Sequence, residues 1–156
     1  MQYIKDLFTN YLLMSVVAAW FVAQLLKGVT GIFKLKKFTV VEFLFGTGGM
    51  PSSHTAAVVA LTTSAVIAFG FKSAVFAVSA LLAMIVIRDA MGIRHEVGNH
   101  AKALNKMIQK SLDAETTHET LKELVGHTPL QVLMGAVVGV VVAIIMSFFD
   151  VFSTVI

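Results

Sequence analysis

The run Gly48-Gly49-Met50-Pro51-Ser52-Ser53-His54 carries the residue types that gather a phosphate group. Two glycines allow a tight turn, the fixed φ of Pro51 suits the first turn of a helix, and Ser52 or Ser53 can cap it. A helix opened in this way presents free N–H groups and the positive end of its dipole, both of which favour an anion. His54 follows where a phosphate ester would lie, able to give or take a proton near neutral pH. The same pattern also describes an ordinary capped helix with a histidine behind it. The other candidate groups fall in two basic stretches. Lys27 and Lys34 lie in the first; Asp89, Arg94, His95, His100, Asn105 and His127 lie in the second.

Positioning these groups falls to a strongly apolar chain. Of 156 residues, 57% are hydrophobic and 13% charged, and the mean hydropathy of +0.85 is that of an integral membrane protein. A single composition regime predicts one membrane domain over 1–156. The N-terminal stretch lacks a basic region followed by a short apolar core and a small-residue cleavage site, so no cleavable signal is expected. The absence of cysteine excludes disulfides, thiolate metal sites and a cysteine nucleophile. Four stretches, Leu7–Leu26, Thr55–Phe71, Ser73–Ile87 and Leu130–Phe149, are long and apolar enough to span or nearly span a bilayer. The middle two, separated by Lys72, read as a tight hairpin. The expected fold is all-α, an integral membrane four-helix bundle. Small residues such as Ala56, Ala57, Ala60, Gly135, Ala136 and Gly139 permit close helix packing.

Charge then gives orientation. Lys27, Lys34, Lys36 and Lys37 lie between the first two spans, and Arg94, Lys102, Lys106, Lys110 and Lys122 between the last two, whereas the hairpin tip carries Lys72 alone. Positive loops stay in the cytoplasm, so both termini are expected outside, with the site on the cytoplasmic face of the cell membrane. That topology brings Pro51–His54 and the stretch 88–127 to one membrane surface. Within the latter, a helix over 96–112 is expected. Val97, Ala101, Leu104, Ile108 and Leu112 form one face, and His95, Asn99, Lys102, Lys106, Gln109 and Lys110 fall roughly opposite. Such a helix either lies at the lipid headgroups or packs on the other loop with a solvated basic face. Thr116 and Glu119 have capping-box spacing for a further short helix that Gly126 can end.

Four segments in this order carry a family resemblance: Gly48-Gly49-Met50-Pro51-Ser52-Ser53-His54, Asp89-Ala90-Met91-Gly92-Ile93-Arg94, Leu104-Asn105 and Gly126-His127-Thr128-Pro129. Together they resemble the divergent branch of the type 2 phosphatidic acid phosphatase superfamily, from Gln24 to Gly135. The resemblance implies a helical membrane enzyme that removes phosphate from lipids without metal or cofactor. In the superfamily's scheme a late histidine attacks phosphorus, an aspartate orients it, and the histidine of Pro-Ser-Gly-His protonates the leaving oxygen. Lys27 and Lys34 keep the spacing of the first motif, with Lys34 in place of arginine and Leu35 in place of proline. Pro51, Ser52 and His54 match the second, with Ser53 replacing glycine. For the third, Arg94 and His100 keep their spacing, but Leu104, beside Asn105, stands where the aspartate belongs. A second register pairs His95 with Asn99 and puts Asp89 where arginine belongs. Neither register reproduces the orienting aspartate.

The resemblance thus implies His54, His127 and His100 as catalytic candidates, with His127 slightly ahead of His100 as partner to His54. Lys27, Lys34, Ser52, Ser53 and Arg94 would bind phosphate, and Asp89 and Asn105 would orient or brace the site. Each has a plainer reading. Lys27 and Lys34 can anchor a helix at the interface, Asp89 and Arg94 can form a structural ion pair, and His127 can be a junction residue ahead of a helix. His95 and His118 read as surface histidines. The expected activity is hydrolysis of a phosphate monoester or diphosphate on a membrane phospholipid or polyprenyl phosphate. A non-hydrolytic lipid-phosphate binder or translocator is the first alternative, and a scaffold subunit the second. The partners expected are a phosphate-bearing lipid and the membrane, with no nucleic acid; four helices offer few lipid-facing walls, which suits a homodimer.

Overall fold

A computed structural model describes residues 2–32, 49–111 and 127–155. Lys34, Lys36, Lys37, the Thr116–Glu119 pair, His118 and Gly126 lie outside the described residues. Among the described residues the chain is all helical: α1 (Gln2–Phe8), α2 (Tyr11–Ile32), α3 (Ser53–Phe69), α4 (Ala74–Met91), α5 (Ile93–Ser111) and α6 (Pro129–Val155). Among the described residues three segments are long and apolar enough to cross a membrane: Tyr11–Thr30, Ala74–Ile108 and Pro129–Phe149. The 17 residues of α3 rise about 26 Å, somewhat less than the ~30 Å of a hydrocarbon core.

Local polar groups decide where these helices begin and end. The apolar stretch expected to run unbroken over Leu7–Leu26 divides at Thr9-Asn10 and continues past Leu26. Thr9 Oγ1 donates to the Lys5 carbonyl at 2.9 Å, closing α1, and Asn10 Oδ1 accepts the Leu13 N–H at 3.1 Å, opening α2. A short polar side chain that competes for backbone hydrogen bonds thus outweighs continuous hydrophobicity. Helix α3 ends at Phe69, two residues before the end of its apolar run at Phe71, and α4 begins at Ala74. Gly70 adopts φ 77°, a conformation open to glycine, and its N–H bonds the Val66 carbonyl. Ser73 then caps α4 by accepting the Phe76 N–H at 3.1 Å.

Helix α3 is the hub. It packs against α2, α4 and α6, and α2 also packs against α6. The buried cluster between them is made of small residues: Ala19 and Ala23 from α2, Ala56 and Ala60 from α3, Val142 and Ala143 from α6. In a lipid setting apolar burial gives helices little reason to associate, so close van der Waals contact and hydrogen bonds must do it. Gly135 and Gly139 show how close that contact is. A Cβ added to Gly135 would stand 2.5 Å from the Ser52 carbonyl oxygen, and one on Gly139 equally close to that of Ala56. Hydrogen bonds also join helices directly, among them Tyr11 Oη to the Ala143 carbonyl at 2.8 Å and Thr62 Oγ1 to the Ser79 carbonyl at 3.1 Å. Such bonds contribute on average about 0.6 kcal/mol each in a membrane protein.

Candidate functional site

The end of α2 and the starts of α3 and α6 meet at one end of the packed helices, held there by a short series of contacts. Thr30 Oγ1 donates to the Met50 carbonyl at 2.6 Å, which fastens the turn before α3 onto α2. Gly49, at φ 88°, lies against the stem of Lys27; a Cβ there would stand 3.0 Å from Lys27 Cγ. Any other residue would meet both an unfavourable backbone conformation and that side chain. From this turn the chain enters α3 through the Met50–Pro51 cis bond and the N-cap residue Ser52. Pro51 therefore precedes the cap and does not occupy the first helical turn.

Ser52 connects α3 to α6. Its N–H donates to the Gln131 carbonyl at 3.0 Å, while its Oγ accepts the Thr55 N–H at 3.4 Å and the Thr55 hydroxyl lies 3.0 Å from it. With both its polar groups engaged and its side chain fully buried, Ser52 is a structural cap. Ser53 is also buried, at 2% exposure. His54, one residue further, is exposed on the first turn of α3.

The start of α6 is a reciprocal capping box. Gln131 N–H donates to Thr128 Oγ1 at 3.4 Å, and Gln131 Oε1 accepts the Thr128 N–H at 3.0 Å. Pro129 occupies the first helical position, where its missing N–H costs nothing. His127 precedes the box and is half-buried. Its N–H donates to the Ala90 carbonyl at 3.1 Å, and its Nδ1 lies 3.0 Å from Gln131 Oε1. The end of α4 is thereby drawn to the same place, with half-buried Asp89 adjoining Ala90 and exposed Arg88 before it.

Helix α5 is placed differently. Gly92 interrupts the helical run, its N–H bonding the Arg88 carbonyl at 2.8 Å and its carbonyl accepting the Glu96 N–H at 3.1 Å. Among the described residues α5 packs only against α4. Gly98 and Ala101 are buried, Asn105 is half-buried, and His100, Lys102 and Lys106 are exposed. Val97, Leu104 and Met107 are exposed as well. Arg94 lies in the first turn of α5.

The model of the divergent PAP2 family matches residues 8–142. The chain belongs to that family. It is 36% identical over 157 residues to YuiD of Bacillus subtilis, an uncharacterized membrane protein, and the match covers 92% of this chain and 98% of YuiD. No solved structure matches it.

As a membrane protein of the divergent PAP2 family, the chain gathers some candidate groups and leaves others apart. Lys27, the turn at Gly49, the start of α3 with His54, and His127 share one end. Asn105 and His100 sit on α5, away from the α3–α6 contact. Lys34 lies outside the described residues. Among the described residues no three histidine, aspartate or glutamate side chains cluster as metal ligands. Gln131 is the residue that sequence reasoning passed over, although it bonds the His127 ring through its side chain and Ser52 through its carbonyl. Its signal was available: Thr128-x-x-Gln131 has the spacing of a capping box.

Proposed function

We propose that this divergent PAP2 family protein is a four-helix membrane bundle of α2, α3, α4 and α6 that hydrolyses a phosphate monoester or diphosphate on a membrane lipid. The reaction needs neither metal nor cofactor. The observation that carries the reading is the double tie at Gln131 and Ala90. Ser52 N–H on the Gln131 carbonyl and His127 N–H on the Ala90 carbonyl hold two histidine-bearing helix starts at one end. His54 and His127 are the pair the reading uses. His100 gives way to His127 because α5, on which it is exposed, packs only against α4 among the described residues.

In the proposed reaction His127 attacks phosphorus, the bond from phosphorus to the lipid oxygen breaks, and the imidazolium of His54 gives its proton to that oxygen. Water then attacks the phosphohistidine and yields its proton to His54. The phosphorus–nitrogen bond breaks and orthophosphate leaves. Lys27, with Arg94 and Lys34 from the basic stretches, offsets charge on the non-reacting oxygens. The site faces the cytoplasm by the distribution of lysines. Helix α5 lies at the headgroups, its exposed Val97, Leu104 and Met107 towards the acyl boundary and its lysines towards anionic lipid. The lipid tail stays in the bilayer.

One observation favours a non-hydrolytic lipid-phosphate binder or translocator. The group beside His127 Nδ1 is the amide of Gln131, which offers an attacking histidine no negative charge. Purified protein in vesicles decides between the readings. Phosphate release from phosphatidate or a polyprenyl phosphate in the presence of chelator is the expected result. Binding of these lipids with no release from any of them would sink the hydrolase and promote the binder.

A further inference from the structure

We infer that α1 is an interfacial helix: it lies flat in the membrane surface opposite the candidate site, with Tyr3, Ile4, Leu7 and Phe8 sunk to the acyl boundary and Gln2, Lys5 and Asp6 among the headgroups. At about 100° per residue, the four apolar side chains fall within an arc of roughly 140°, and Gln2, Lys5, Asp6 and Thr9 within roughly 100° on the other side. The polar side is tied together along its length. Gln2 Nε2 donates to Asp6 Oδ1 at 3.0 Å, and Thr9 Oγ1 to the Lys5 carbonyl at 2.9 Å. The apolar side is open: its four side chains are between 54% and 89% exposed, and among the described elements α1 packs on α2 alone.

The start of α2 sets what covers that face. Tyr11–Thr30, the apolar span of α2, rises about 30 Å, the thickness of a hydrocarbon core. Its far end carries the Thr30–Met50 bond of the candidate site, so Thr9-Asn10 stands at the opposite surface. Tyr11 Oη fixes this start to the Ala143 carbonyl of α6, and exposed Leu13, Val17, Phe21 and Leu25 form a lipid-facing stripe down the span. Helix α1 therefore leaves the bundle beside that stripe, at the depth where hydrocarbon gives way to headgroups. An amphipathic helix at that depth buries its apolar face by lying in the interface plane. The break supplies the bend: Asn10 Oδ1 accepts the Leu13 N–H and opens α2 as a new helix, so α1 is not bound to continue its axis. The charges of Lys5 and Asp6 cancel, and apolar area holds α1 in place, in contrast to α5 with Lys102 and Lys106.

The chain has no cysteine, so single cysteines can replace each residue from Gln2 to Thr9 in the full chain with no other thiol to remove. Spin labels on them, in vesicles of neutral phosphatidylcholine, report access to oxygen, which partitions into lipid, and to a nickel chelate, which stays in water. Labels replacing Tyr3, Ile4, Leu7 and Phe8 should follow oxygen, as labels replacing Leu13, Val17 and Phe21 should, while those replacing Gln2, Lys5, Asp6 and Thr9 should follow nickel. Nickel access along all of α1 would put the helix in water, and oxygen access along all of it would make it part of the span. Protection from both reagents at the four apolar positions would mean that protein, such as a second copy of the chain, covers the face. Each of these three results overturns the inference. Ile4→Ser combined with Leu7→Ser should raise nickel access at the Tyr3 and Phe8 positions several-fold, while unchanged labels at the Leu13 and Val17 positions show that the variant still folds. An unmoved pattern on α1 would overturn its capture by apolar area. The wild-type pattern should also persist in anionic vesicles and at high salt; a pattern confined to anionic vesicles at low salt would make charge, and not the apolar face, the anchor.

Discussion

The seam between α3 and α6 and the arm formed by α4 and α5 are built on different terms. Along the seam, glycines let backbone meet backbone, and Ser52 N–H bonds the Gln131 carbonyl across it. The arm is attached more loosely. Helix α4 is joined to α3 by Thr62 on the Ser79 carbonyl, and α5 touches α4 alone among the described elements. The candidate groups divide along the same line. His54 and His127 stand at the seam, while Arg94, His100 and Asn105 ride on the arm. Groups that share one phosphorus atom need placement within a fraction of an ångström, and on the proposed reading that requirement falls on the closely packed seam.

The largest effect should come from forcing the seam apart. Gly139→Leu puts a side chain where even a Cβ would lie 2.5 Å from the Ala56 carbonyl and 3.0 Å from Ala60 N. Overpacking typically costs 1–3 kcal/mol, occasionally more, and here the obstacle is backbone. The variant should be recovered at a small fraction of the wild-type yield as monodisperse protein in detergent, with a lowered unfolding temperature. Ala103→Leu, at an exposed position of α5, places the same final side chain on the arm and should change neither. Equal tolerance at both positions would erase the distinction.

Next in size is the removal of the His54 imidazole. If it is the proton donor, His54→Ala should reduce turnover of lipid phosphates by roughly 10²–10⁴, with ligand affinity nearly unchanged. The loss should shrink for esters with a good leaving group, which need no proton at the departing oxygen. An equal loss for every ester would make His54 the nucleophile and hand the acid's role to His127.

How much of this was legible in the sequence follows from the length scale of each cue. Continuous apolar runs are visible in composition, so the helical, membrane-embedded character could be read directly. The break at Thr9-Asn10 could not, because it depends on one side-chain oxygen finding the Leu13 N–H against a strongly helical background. At the site, the glycine-proline-serine-histidine string told where α3 begins. That Ser52 would cap α3 and bond α6 depended on Thr55 and on a carbonyl 79 positions further along the chain, that of Gln131. Gln131 itself read as one more polar residue in an apolar span. Its meaning comes from geometry: two neighbours, the Thr128 N–H and the His127 ring, converge on one oxygen.

A smaller effect separates the two helix caps at the seam. Ser52→Ala removes the acceptor for the Thr55 N–H and leaves the Thr55 hydroxyl without that neighbour. Loss of an N-cap typically costs ~1 kcal/mol. Thr128→Ala removes a longer bond, 3.4 Å, from an exposed residue while Gln131 still holds the Thr128 N–H. It should cost less in stability than Ser52→Ala in thermal unfolding. The reverse order would mean that α6, not α3, sets the geometry of the seam.

The smallest effect belongs to the arm and tests what its basic residues do. If α5 lies on the headgroups, Lys102 and Lys106 attract anionic lipid from a distance without touching the reacting atoms. Each basic residue near such a surface contributes about 1 kcal/mol at physiological salt, within a Debye length of roughly 8 Å. Replacing both with glutamine should raise KM for phosphatidate in anionic vesicles several-fold, with kcat unchanged, since the seam is untouched. The difference should fade as salt rises, because screening weakens the wild type towards the variant, and it should vanish in neutral vesicles with the substrate kept dilute. A fall in kcat at constant KM would place these lysines, and with them α5, inside the site and not beside it.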